Sequence, residues 1–201
     1  MILLALAVQA AAPQTAVEAE HAFRRAAQAE GQWTAFRKFA TDDAIVFTPQ
    51  PEKAQEALPT KNPPIAVQWW PAESYISCDG TTAINTGPWV RPKGSGYFTT
   101  VWHKQADGGW KWSLDEGDAL STPRALPDKP RVRTASCASI SEPTADPVPP
   151  LGDKGGDGTS KDGTLRWHWQ VDPAGAREFD AWIWNGKTFV TIVSDKVAAS
   201  K

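Results

Sequence analysis

The sequence predicts an α+β protein: a curved antiparallel sheet with N-terminal helices forming a cone, followed by a small C-terminal three-stranded β appendage. Three observations carry that expectation. Apolar residues recur at helical spacing through residues 14–40. They alternate with polar residues from Ile65 onward, and Asp-Gly or Asn-Gly pairs punctuate the alternating segments. Helices followed by a meander imply helices laid across one sheet face.

Thr15-Ala16-Val17-Glu18 has the spacing of a capping box, in which hydroxyl and carboxylate each satisfy the other's backbone N–H at a helix start. The helix runs to about Ala29, with Ala16, Ala19, Phe23 and Ala26 on one face, and Gly31 breaks it. A short second helix carries Trp33, Phe36 and Ala40. Thr41-Asp42-Asp43 leads into a strand, Ala44 to Thr48, which Pro49 ends. Residues 52–58 read as a helical turn or two. Four strands follow, Gln68 to Cys78, Thr81 to Val90, Gly96 to Lys104 and Trp110 to Glu116, separated by Asp79-Gly80, Arg91-Pro92-Lys93-Gly94 and Asp107-Gly108-Gly109. Residues 119–163 are rich in Pro and then Gly, and read as a linker or wrap with a mobile Gly-rich part. From residue 164 alternation resumes. Asn185-Gly186 is the strongest hairpin signal, and a two-residue loop there pairs Trp182 with Phe189 and Ala181 with Val190. So small a meander is unstable alone and must dock.

A formal charge of -2 offers no basic field for a phosphate backbone, which argues against nucleic acid as a partner. Beyond the N-terminus no run approaches a membrane span. Residues 1–12, with an apolar stretch from Ile2 to Val8 before small residues, resemble a secretory signal that lacks a positive start. The expectation is a periplasmic or secreted protein, or a cytoplasmic one if that segment is no signal. In an exported chain the even pair Cys78 and Cys137 is most simply a disulfide, the alternative being two unrelated buried thiols. The histidines and cysteines show no ligand spacing, so no metal is expected, and no phosphate-loop or dinucleotide fingerprint implies a cofactor.

Several segments in this order are familiar. Gly31-Gln32-Trp33, then Phe39 through Pro49, and later Thr100-Val101-Trp102-His103-Lys104-Gln105 with Asp107-Gly108-Gly109-Trp110-Lys111, resemble the nuclear transport factor 2-like superfamily, nearest its SnoaL-like domains of unknown function. The resemblance covers about residues 14–118, within a cone domain bounded at 13–118. It implies a pocket between helices and sheet, in a fold that hosts isomerases, lyases, hydrolases and many non-catalytic binders. Fold does not choose among them. The ketosteroid isomerases of this superfamily place a carboxylate where Thr48 stands, a tyrosine where counting gives Arg24, and a second acid near Thr99 to Val101, which holds none. Their constellation is absent.

Eleven tryptophans are the compositional outlier, each with a large apolar surface and one donor to satisfy. Trp69, Trp89, Trp112 and Phe47 are candidates to line a pocket for a small apolar or aromatic molecule, the first functional expectation. His103, on the strand face of Tyr97, Thr99 and Val101, is the best single acid–base candidate because its ordinary pKa lies near neutrality. Alternation places Trp110, Trp112, Leu114 and Glu116 on the core face, with Asp115 toward solvent or a dimer interface. Glu116 beside indoles would hold its proton as catalytic acids do. An enzyme using His103 or Glu116 with Tyr97 is the second expectation, and a protein-interaction or homodimer surface the third.

Overall fold

The computed structural model describes residues 13–140 and 154–199. The signal-like segment 1–12 lies outside them. Helix α1 (Ala16–Glu30) starts as the sequence predicts: Thr15 Oγ1 accepts from the Glu18 backbone at 3.2 Å, and the Thr15 backbone donates to Glu18 at 3.1 Å. Gly31 separates it from α2 (Gln32–Phe39) with φ of 105°. A side chain there would collide with Asn62, which caps α2 from a distance by accepting from the Trp33 backbone at 2.7 Å.

The main sheet comprises β1 (Ala40–Phe47), β2 (Pro51–Lys53), β3 (Gln68–Trp69), β4 (Glu73–Ile76), β5 (Thr82–Arg91), β6 (Gly94–Lys104), β7 (Trp110–Leu120) and β8 (Arg131–Thr134), with the short helix α3 (Ala54–Ala57) after β2. Its order is β2-β1-β7-β6-β5-β4-β8, with β3 also on β5. The expectation of an antiparallel sheet is corrected to a mixed one, because β1 runs parallel to β7 and β8 parallel to β4. Both parallel neighbours are joined to their partners by long excursions rather than tight turns, and such connections permit either direction. Pro71 divides the expected strand at Gln68 to Cys78 into β3 and β4.

The appendage has four strands, not three: β9 (Lys154–Thr159), β10 (Leu165–Val171), β11 (Arg177–Trp184) and β12 (Phe189–Val197), in the order β12-β11-β10-β9. Part of the expected Gly-rich linker is therefore a strand. Indole rings from β10 lie across it: a Cβ on Gly158 would sit 2.0 Å from the Trp167 ring, and one on Gly156 2.8 Å from Trp169. Glycine is the residue that lets the backbone pass under them. The hairpin register also differs from the expected one. Asn185 Oδ1 accepts from the Lys187 and Thr188 backbones, closing a longer loop that pairs Trp184 with Phe189 and Ile183 with Val190.

Two cores result, one on each face of the main sheet. On the first face, α1 and α2 cover Ala44, Val46, Trp69, Phe98, Trp102, Trp110 and Trp112. On the other, the second sheet presses Leu165, Trp167, Trp169, Phe179, Ala181 and Ile183 against Tyr75, Ile84, Val101 and Leu114. The Cys78–Cys137 disulfide, with Cα atoms 5.2 Å apart, ties the end of β4 to the segment after β8. Trp184, on the outer face of the second sheet, is covered by that segment, its Nε1 donating to Ala138 O at 2.9 Å. Among the described residues no helix is long and apolar enough to cross a membrane.

Candidate functional site

One irregularity sets the chemistry of both faces. Between β6 and β7 the register moves from Trp102↔Trp112 to Val101↔Leu114, so Ser113 is an extra residue, a β-bulge. Strand residues alternate faces, so an insertion of one reverses every side chain beyond it. Trp110 and Trp112 face the helices as expected, but Leu114 and Glu116 turn to the second sheet. Asp115, expected at solvent or a dimer interface, turns inward under the helices, where Thr100 Oγ1 donates to it.

The helix face is filled with rings. Phe23 has its centroid 4.8 Å from that of Trp69, 6.0 Å from Trp102 and 6.5 Å from Trp112, and Phe36 and Phe39 close the cluster. At its centre is an acid that helical periodicity alone does not flag. Glu20 is fully buried, accepting from Trp69 Nε1 and Trp102 Nε1 at 2.7 Å each and from Asn85 Nδ2 at 3.1 Å. Burial pushes its carboxyl up to about 7 against the pull of these donors. Burial lifts Asp115 to about 7 as well, and the nearby Glu20 adds to it.

The seam between the sheets is built of ion pairs. Glu116 accepts from Arg177 Nε at 3.3 Å and Nη2 at 3.2 Å, and Arg177 also reaches Gly117 O at 2.9 Å. Asp195, from β12, accepts from Thr99 Oγ1 at 2.8 Å and is paired with Arg124, which comes from the chain between β7 and β8. Arg124 also donates to Thr86 Oγ1 at 2.6 Å and lies 3.9 Å over the Tyr97 ring. Burial raises the Glu116 carboxyl well above its ordinary range, the Asp195 carboxylate beside it raises it further, and Arg177 opposes both. Burial and the same two acids push the Tyr97 hydroxyl up.

Beside this network a cleft of about 320 Å³ opens to solvent, lined by Glu73, Thr86, Arg124, Arg131 and Asp195 with an aliphatic wall from Ile192 and Val193. Glu73 and Arg131 pair at its rim. Although burial opposes it, the Tyr75 hydroxyl and the Arg131 and Arg124 guanidiniums hold the Glu73 carboxyl below its usual range.

The residues singled out from sequence are therefore divided. Tyr97 and Glu116 share the seam. His103 is on the same face as Tyr97 but six residues along β6, roughly 20 Å away at strand spacing. There it bonds Ser113 Oγ at 2.9 Å and lies 5.8 Å from the Trp167 ring, and burial lowers its pKa. Trp69 and Trp112 belong to the helix-face core, Trp89 stands at its margin under the Arg91 guanidinium, and Phe47 packs in the seam between Arg177 and Trp169. They form no common platform. Asp195, Arg177 and Arg124, absent from the sequence reading, complete the seam. Arg177 and Asp195 carry one local signal, alternation, Arg177 falling in register with Phe179 and Ala181 on the inward face of β11, whereas Arg124 lies outside any strand. Among the described residues no group of three or more histidine, cysteine, aspartate or glutamate side chains is arranged to hold a metal ion. No protein-family model matches the chain, and no curated protein matches it.

Proposed function

We propose that this chain is an exported protein with a nuclear transport factor 2-like main domain that binds a small molecule in the cleft between its two sheets. The observation that carries the reading is the cleft itself, an opening of about 320 Å³ on which four charged side chains converge from the main sheet, the chain after β7 and the second sheet. Volumes of this order suit small ligands held by a few placed polar groups. The helix-side pocket of a cone is the alternative place, but here aromatic rings occupy the space between helices and sheet. The disulfide agrees with an oxidising compartment.

Native mass spectrometry of protein purified from the periplasm or medium tests this. A bound mass is expected in the wild type and lost in Ala125→Trp, which fills the cleft from an exposed position. A bare mass in every preparation, with no stabilising compound in a broad ligand screen, would overturn it.

A second reading, acid–base catalysis of the lyase, isomerase or hydrolase kind, draws on the same seam. Burial and Asp195 raise the Glu116 carboxyl while Arg177 opposes them, and both acids act on the Tyr97 hydroxyl. That arrangement supplies a donor and an acceptor close together. Turnover that disappears in Glu116→Gln while cleft binding persists would support it, and turnover unaffected by Glu116→Gln would exclude it.

A further inference from the structure

The cleft's charges form an alternating string, Asp195, Arg124, Glu73 and Arg131, and its two ion pairs differ in accessibility. Asp195 is 1% exposed and Arg124 31%, and this pair is braced by Thr99, Thr86 and the Tyr97 ring. Arg131 is 67% exposed and Glu73 27%, with the guanidinium at the rim of the cleft. An exposed pair contributes little and opens readily, whereas a buried, braced one does not. The outer pair is the one a ligand can replace.

Opening it presents a carboxylate and a guanidinium side by side, carried by paired positions of β4 and β8. Glu73 then accepts from a cation and Arg131 donates to an anion, so a ligand carrying both neutralises both without leaving a charge unpaired. The exposed Ser194 adds a hydroxyl to the lining, while Ala72, Ile192 and Val193 form an apolar side. We infer that the cleft selects a zwitterion: a small molecule with an ammonium for Glu73, a carboxylate for Arg131 and a short aliphatic part for the Ile192–Val193 wall. Free aliphatic amino acids have this chemistry. The inference rests on the cleft being the binding site and adds the class of ligand to that reading.

Isothermal titration with L-leucine, N-acetyl-L-leucine, L-leucine methyl ester and indole separates the two claims. L-Leucine is expected to bind. Removing the ammonium by acetylation or the carboxylate by esterification should each weaken binding about ten-fold or more, the scale of losing a charge-assisted hydrogen bond. Arg131→Gln should weaken L-leucine to the same degree and leave the methyl ester unchanged, and Glu73→Gln should do the converse with the N-acetyl compound. Equal binding of L-leucine and its blocked derivatives, or binding of indole alone, overturns the zwitterion while leaving a ligand-binding cleft intact. If none of the four binds and native mass spectrometry also finds no ligand, both readings fall together.

Discussion

The two faces of the main sheet solve the burial of acid in opposite ways. Under the helices, Glu20 is surrounded by indole and amide N–H donors among the described residues and has no cation against it, and the bulk of the layer is aromatic packing. Across the seam, Glu116 and Asp195 meet guanidiniums carried on other elements. The first arrangement makes a closed core that tolerates an acid near its titration point. The second fastens three separate parts of the chain and leaves an opening beside them. Closed packing resists change in shape, while a set of ion pairs with unequal exposure can exchange partners. That difference is why we propose the seam, rather than the helix face, as the place for a ligand.

The largest effect should come from breaking the closed face. Trp102→Ala removes a fully buried indole and one of the Glu20 donors, and a loss of about 3–5 kcal/mol is expected in denaturant unfolding. A smaller loss would mean the helix layer can collapse onto the space. On the seam, Arg177→Met should cost about 3 kcal/mol, because a buried pair loses one partner. Glu116→Gln, which keeps a hydrogen-bond acceptor for Arg177, should cost only about 1 kcal/mol. If the two substitutions prove equally damaging, Arg177 depends on the charge of Glu116 and not only on its hydrogen-bond acceptor.

Titration sharpens the contrast further. Glu20 and Asp115 hold their protons more tightly folded than unfolded, each near 7 rather than in the ordinary carboxyl range. The stability they add is therefore complete at acid pH and disappears as the pH rises through about 7. Unfolding followed from pH 5 to pH 8 should show a decline on the order of 1–3 kcal/mol. Glu20→Gln should remove about half of it, Asp115 keeping the rest, and should abolish any tryptophan fluorescence change with the same midpoint. The smallest effect concerns neither core directly: Thr15→Ala undoes the capping box of α1 and should lower stability by about 1 kcal/mol.

Much of the element plan was legible in the chain because it depends on local rules. The α1 start at Thr15, the break at Gly31, the turns at Asp79-Gly80 and Asp107-Gly108, and the pairing of Cys78 with Cys137 all follow from nearby residues or from elimination among two cysteines. What escaped was non-local. Glu20 reads as one polar position on a helix until Trp69 and Trp102, distant in sequence, aim their donors at it. The Gly-rich run reads as a linker until the Trp167 and Trp169 rings lie across it.

By itself, then, the sequence determined an α+β chain with two N-terminal helices, a long meander and a dependent C-terminal sheet, since periodicity, capping and turn chemistry act within a few residues. Only the tertiary structure decided that the sheet is mixed, that a single extra residue at Ser113 sends Asp115 under the helices and Glu116 into the seam, and that Arg124, Arg177 and Asp195 meet there. A bulge costs one residue and carries no composition of its own, yet it reverses which face every later side chain occupies, so the chemistry of a site beyond it is fixed by pairing across strands rather than by order along one.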